Sequence, residues 1–218
     1  MPLIKRVFHV NCSGEECLKI AEIIRENITV TEVHIDIKDY GLVIEIYGYK
    51  SDVKNAWNKI KKLVAMYKNV SRTIKGGEVL YPVEYIVSLI KKTFPPLLLV
   101  EVLKRKGYSS RYEDGKIITN AEIEEVKSIA EKIADIINEI RYDVKGTTSK
   151  YFVAAASILL GLEPSEVIEK AINHGLMYLD EDEKARIRYE WRQALDKFVK
   201  IFSRKDIEDR ENVLNEIH

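Results

Sequence analysis

The chain has 218 residues, 46% hydrophobic and 32% charged, with 35 basic side chains balancing 35 acidic ones. That balance excludes a supercharged nucleic-acid coat protein, and with 5 prolines and 10 glycines it excludes a collagen-like or linker-rich chain. No apolar run reaches the roughly 18–20 residues that span a bilayer, and the opening MPLIKRVFHV lacks the apolar core and cleavage site of a signal peptide, so cytoplasmic residence without a membrane partner is the expectation.

Residues 4–11 read as a strand. Ser13-Gly14-Glu15-Glu16 has the spacing of a capping box and opens a helix whose apolar stripe is Cys17, Ile20, Ala21 and Ile24. Residues 32–38 alternate, with Val33, Ile35 and Ile37 on one face. Asp39-Tyr40-Gly41 turns the chain into a second alternating run, 42–49, which places Leu42, Ile44 and Ile46 inward. Ser51 is the expected cap of a long helix with the stripe Val53, Ala56, Trp57, Ile60, Leu63, Val64 and Tyr67, and a short strand is expected at 70–74. The order β-α-β-β-α-(β) predicts a ferredoxin-like sandwich over 1–76.

Lys75-Gly76-Gly77 breaks the pattern. Helices are expected over 82–93 and, after Pro95-Pro96, over 97–106. Asp114-Gly115 signals a hairpin within 108–119. Thr119-Asn120-Ala121-Glu122 is a second capping-box spacing, before a stripe of Val126, Ile129, Ala130, Ile133, Ile137 and Ile140. This helix–hairpin–helix segment, 77–146, could form a winged module. From Gly146 onward an all-helical region, 147–218, is expected: 151–160, 164–174 and a long helix over 182–202. The whole reads as an α+β protein with a C-terminal helical bundle.

Charge is unevenly spread. Residues 1–49 carry 5 basic and 8 acidic groups, residues 50–116 carry 15 and 6, and residues 117–218 carry 15 and 21. A basic middle of this kind points to an anionic partner, or to neutralisation by the chain's own acidic end. Opposite the long helix's apolar stripe stand Lys54, Lys61, Lys62 and Lys68, with Lys59 on the flank and Arg72 and Lys75 beyond; between residues 50 and 77 the only acid is Asp52. Such a face repels itself unless an anion covers it, and contact with a phosphate backbone is the functional reading; a solvated surface is the alternative. Tyr47 and Tyr49, with His34, could stack unpaired bases on an open sheet face, although Glu45 and Asp36 sit among them. Lys104, Arg105, Lys106, Arg111 and Lys116 would charge the wing, while cations at a helix C-terminus also satisfy its dipole.

Other features favour plainer roles. The turn at Gly161 has the form of a helix-turn-helix, but Glu163, Glu166 and Glu169 on its second helix oppose DNA. Asp180-Glu181-Asp182-Glu183 reads as the acidic first turn of a helix rather than a metal cluster. Two cysteines exclude a disulfide scaffold; Cys17 reads as a core residue and Cys12 has no assigned role, since their spacing fits neither a zinc site nor a redox C-x-x-C. His9, His34, His174 and His218 are scattered, no phosphate-loop, dinucleotide or hydrolase motif occurs, and no catalytic residue, metal or cofactor is nominated. A single glutamine, Gln193, in a chain rich in lysine and glutamate matches proteins of hot habitats, and a thermophilic archaeon is the expected source.

VEVLKRKGY (100–108), GKIITN (115–120) and LLGLEPSEVIEKAINHGLM (159–177) resemble an uncharacterised archaeal family, a domain of unknown function. That resemblance implies an archaeal cytosolic origin and brings no activity or site residues. The expected function is non-catalytic binding of RNA or single-stranded nucleic acid through residues 50–116. The alternatives are a protein–protein adaptor acting through the acidic C-terminal helices and an enzyme with an unrecognised pocket.

Overall fold

A computed structural model describes residues 2–29, 32–70 and 77–202. The chain is a mixed α+β protein that divides into two compact units, Met1–Leu89 and Ile90–His218.

The first unit is built on a three-stranded antiparallel sheet of β1 (Ile4–Val10), β2 (Glu32–Lys38) and β3 (Gly41–Gly48), in the order β1-β3-β2. The alternation of β3 decides what is buried: Leu42, Ile44 and Ile46 are sealed from solvent, and Ile44 lies in register with Phe8 on one side and Ile35 on the other. Helices α1 (Gly14–Asn27) and α2 (Lys50–Val70) supply the opposing layer with Cys17, Ile20, Ala21 and Ile24 from α1 and Val53, Ala56 and Ile60 from α2. Burying each of these isoleucines is worth about 2 kcal/mol, which fixes the register of both helices. β4 (Val79–Pro82) lies against α2, and α3 (Val83–Ile90) follows.

Local details differ from the sequence reading. Ser13 does occupy the cap position of α1, but its side chain bonds nothing; the Glu16 N–H finds the Ser13 carbonyl at 3.1 Å instead. Ser51 lies inside α2, which begins one residue earlier, and its hydroxyl donates to Asp52. Val70 closes α2, and the rest of the strand expected at 70–74 lies outside the described residues. Cys12 and Cys17 form a disulfide, with Cα atoms 5.2 Å apart. Cys12 is therefore the covalent partner of a buried core residue, tying the exit of β1 to the second turn of α1.

In the second unit α4 (Pro96–Arg105) leads into the hairpin of β5 (Ser110–Glu113) and β6 (Lys116–Thr119). Asp114 (φ 46°) and Gly115 (φ 75°) form its two-residue turn, both left-handed as such a turn requires. Helices α5 (Ile123–Glu139), α6 (Thr147–Leu160) and α7 (Pro164–Asn173) follow. α6 is the central element, with Phe152 through Ser157 all buried. The second capping box also fails: Glu122 is the cap residue, without a side-chain bond, and the Thr119 hydroxyl accepts the Ala121 N–H within the preceding turn.

The C-terminal region is not all-helical. Where a long helix over 182–202 was expected, the chain forms a hairpin of β7 (Met177–Leu179) and β8 (Ala185–Ile187), and only then α8, residues 191–202. The acidic run makes the turn. Asp180 accepts the N–H groups of Asp182 and Lys184 at 3.0 and 3.1 Å, Glu183 adopts φ 57°, and Lys145 reaches both Asp180 and Asp182. Two backbone bonds, Lys145 N–H to the Ala185 carbonyl and Ala185 N–H to the Asp143 carbonyl, hold β8 to the chain before α6. The start of α8 is satisfied by Glu190, whose carboxylate accepts the N–H groups of Arg192 and Gln193. Among the described residues no single helix is long and apolar enough to cross a membrane.

Candidate nucleic-acid interface

α2 presents its cations because its other face is committed to the sheet. With Val53, Ala56, Ile60 and Leu63 buried, helical geometry turns Lys54, Lys61 and Lys62 outward. The structure divides these lysines into two groups. Lys62 pairs with Glu84 of α3 at 2.7 Å. Lys59 donates to the Asn27 carbonyl at the C-terminal end of α1, and Lys68 to the Asn11 carbonyl, each at 2.7 Å. These three are tethered within their own unit. Lys54 and Lys61 are exposed and have no partner among the described residues, as has Lys50 at the helix start. Arg72 and Lys75 lie outside the described residues.

The outer face of the sheet is closed on itself. Lys5 pairs with Glu45 at 2.8 Å and stands over the Tyr47 ring, the Tyr47 hydroxyl donates to Glu45 at 3.0 Å, and His34 meets Tyr47 edge-on while bonding Glu32. The Lys5 ammonium, and after it the Tyr47 hydroxyl, hold the Glu45 carboxyl below the usual carboxylate range; Glu45 in return raises the Lys5 ammonium. Tyr47 thus has an occupied hydroxyl and three carboxylates on its face of the sheet, Glu32, Asp36 and Glu45. That is a poor platform for a polyanion. Tyr49 stands apart, exposed between β3 and α2.

In the second unit most of the expected wing cations are neutralised. Arg105 bonds Glu101 and Asp196, and Arg192 joins the same Glu101. Lys106 pairs with Glu125 and Arg111 with Glu113. Lys104 and Lys116 are exposed and unpaired among the described residues.

A different constellation emerges where β1 meets α2. Phe8 and Trp57 stack with ring centroids 4.1 Å apart and planes 13° from parallel. They help line a groove of about 230 Å³, together with Ile4 and Val53 and the exposed cations Arg6, Lys50 and Lys54. No carboxylate lines it, and none of the three cations has a partner among the described residues. Of these residues, only Lys54 is among the site residues that the sequence nominates. The signal for the rest is weaker: the period of two in β1 puts Ile4, Arg6 and Phe8 on one face, and Trp57 stands on the flank of the α2 stripe.

Among the described residues no group of three or more His, Cys, Asp or Glu is placed to hold a metal ion. A family described as an uncharacterized protein conserved in archaea, DUF2067, matches residues 8–196. No curated protein and no solved structure matches the chain.

Proposed function

The chain belongs to this archaeal family of uncharacterized proteins, and we propose that it is a non-catalytic RNA-binding protein that holds a single strand on the β1–α2 surface of its first unit. One observation carries the reading: three cations without described counter-ions surround a stacked aromatic pair, and no acid intrudes. Positive charge tracking a backbone beside aromatic faces is how proteins hold unpaired nucleic acid. Lys61 extends the charge along α2. Duplex DNA is disfavoured, because α7 at the helix-turn-helix position exposes Glu163 and Glu169 around its surface.

Further supports come from the architecture and composition. Strand order β1-β3-β2 with two helices packed on one face is what a ferredoxin-like sandwich contributes with its first three strands, and several single-strand binders use that sandwich. A disulfide in a glutamine-poor chain suits a cytoplasmic protein of a hot habitat, where intracellular disulfides are common.

The test is a salt series. Fluorescence anisotropy of an unstructured, end-labelled RNA dodecamer is expected to report binding whose logarithm falls linearly with the logarithm of salt. Three or four phosphate contacts give a slope of about −2 to −3. Lys54→Ala with Lys61→Ala should flatten that slope by about 1.4, at roughly 0.7 per lost contact. Absence of binding at low salt removes this reading, and leaves the acidic surface of the second unit as the place to seek a protein partner.

A further inference from the structure

We propose that the groove between β1 and α2 is a subsite for one unpaired base, with the neighbouring phosphates held by Arg6, Lys50 and Lys54. This rests on the RNA-binding reading and specifies where and how a base, rather than the backbone alone, is engaged.

Size argues first. A groove of about 230 Å³ falls below the range that takes a drug-sized ligand, about 300–1,000 Å³. It suits a single flat heterocycle better than a base pair. Chemistry argues second. The walls are aromatic and aliphatic while every ionisable group at the rim is cationic, an arrangement that matches an apolar ring joined to an anionic link. A simple phosphate site has no use for Phe8 and Trp57, and a neutral apolar ligand has no use for three cations. The outer sheet face offers no rival, since Tyr47 and Lys5 are already engaged with Glu45 and Lys38 lies beside Asp36.

The experiment compares two probes of equal backbone charge, the RNA dodecamer and an abasic dodecamer of the same length, on the full chain. Binding is read by anisotropy and by tryptophan fluorescence. The base-bearing strand is expected to bind about tenfold more tightly than the abasic one and to quench fluorescence, a quench that Trp57→Phe abolishes. Trp57→Leu should bring the two probes to equal affinity while leaving the salt slope unchanged; its circular dichroism melt verifies that it is folded. Equal affinity of both probes for the wild-type chain, with no change in tryptophan emission, overturns the base subsite and leaves the electrostatic reading standing. Failure of both probes to bind at low salt overturns both.

Discussion

Cys12, in the connection after β1, is covalently joined to Cys17, which is buried in the second turn of α1. The bridge closes a loop of only five residues in sequence, so the chain-entropy contribution is near the lower end for disulfides, about 2 kcal/mol. Dithiothreitol should therefore lower the melting temperature by about 4–8 °C. A Cys12→Ser/Cys17→Ala chain should melt at one temperature whether or not reductant is present. Two titratable thiols in the unreduced, denatured protein would show that the bridge does not form.

The Lys5–Glu45 pair gives a pH signature of definite sign. Glu45 titrates below the usual carboxylate range when folded, so its contribution to stability is complete above that range and is lost as pH falls through the lowered value. Lys5 is raised, so its contribution is complete below the usual lysine value and is lost as pH rises through the raised one. The difference in denaturation midpoint between wild type and Glu45→Gln should be flat from about pH 6 to about pH 9 and shrink in acid. A difference that grows in acid would contradict the pairing.

Gly41 begins β3 with φ 136°, and a Cβ there would lie 2.3 Å from the Val10 carbonyl oxygen. Gly41→Ala must move backbone as well as adopt a strained conformation, and a loss of about 3 kcal/mol is expected by urea denaturation. Gly115 also has positive φ but open space around it, so Gly115→Ala should cost only about 1 kcal/mol. Equal losses would mean that the Val10 contact carries no weight.

Asp180 organises the β7–β8 turn. Burial opposes its ionisation, but the Lys184 N–H and the Lys145 ammonium outweigh that and hold its pKa below the ordinary value. Asp180→Ala removes the acceptor for two N–H groups and a partner of Lys145. Amides in and beside the turn should then exchange roughly tenfold faster, the equivalent of one net hydrogen bond, while Asp180→Asn, which keeps an acceptor oxygen, should recover part of the protection. Unchanged exchange in Asp180→Ala would show that the strands alone define the hairpin.

Periodic features were legible in the residues. The α2 stripe from Val53 to Tyr67 and the alternation of Leu42, Ile44 and Ile46 are local patterns that tertiary packing reinforces. Features that depend on one side chain's choice of partner were not. Ser13 and Thr119 have the spacing of caps, yet a nearby carbonyl and a turn N–H offered other solutions. The run 180–183 suits a helix start and an Asx-type turn equally well in sequence, and only Lys145, 35 residues earlier, selects the turn. The same limit governs the candidate interface. The outward lysines of α2 could be read from helical periodicity, but not that Asn27, Asn11 and Glu84 would occupy three of them. Arg6 and Phe8 gain meaning only beside Trp57, which the fold brings from half a unit away.

Among the described residues no strand lies beside β1 on the side away from β3, and this carries a consequence of its own. A bare strand invites a copy of itself, and extended chains zip together through such borders into aggregates. Arg6, a cation on β1 with no partner among the described residues, opposes such pairing by repulsion between molecules, whereas the charge of Lys5 is already met by Glu45. Concentrated solutions of the protein should accordingly turn cloudy sooner with Arg6 made neutral than with Lys5 made neutral.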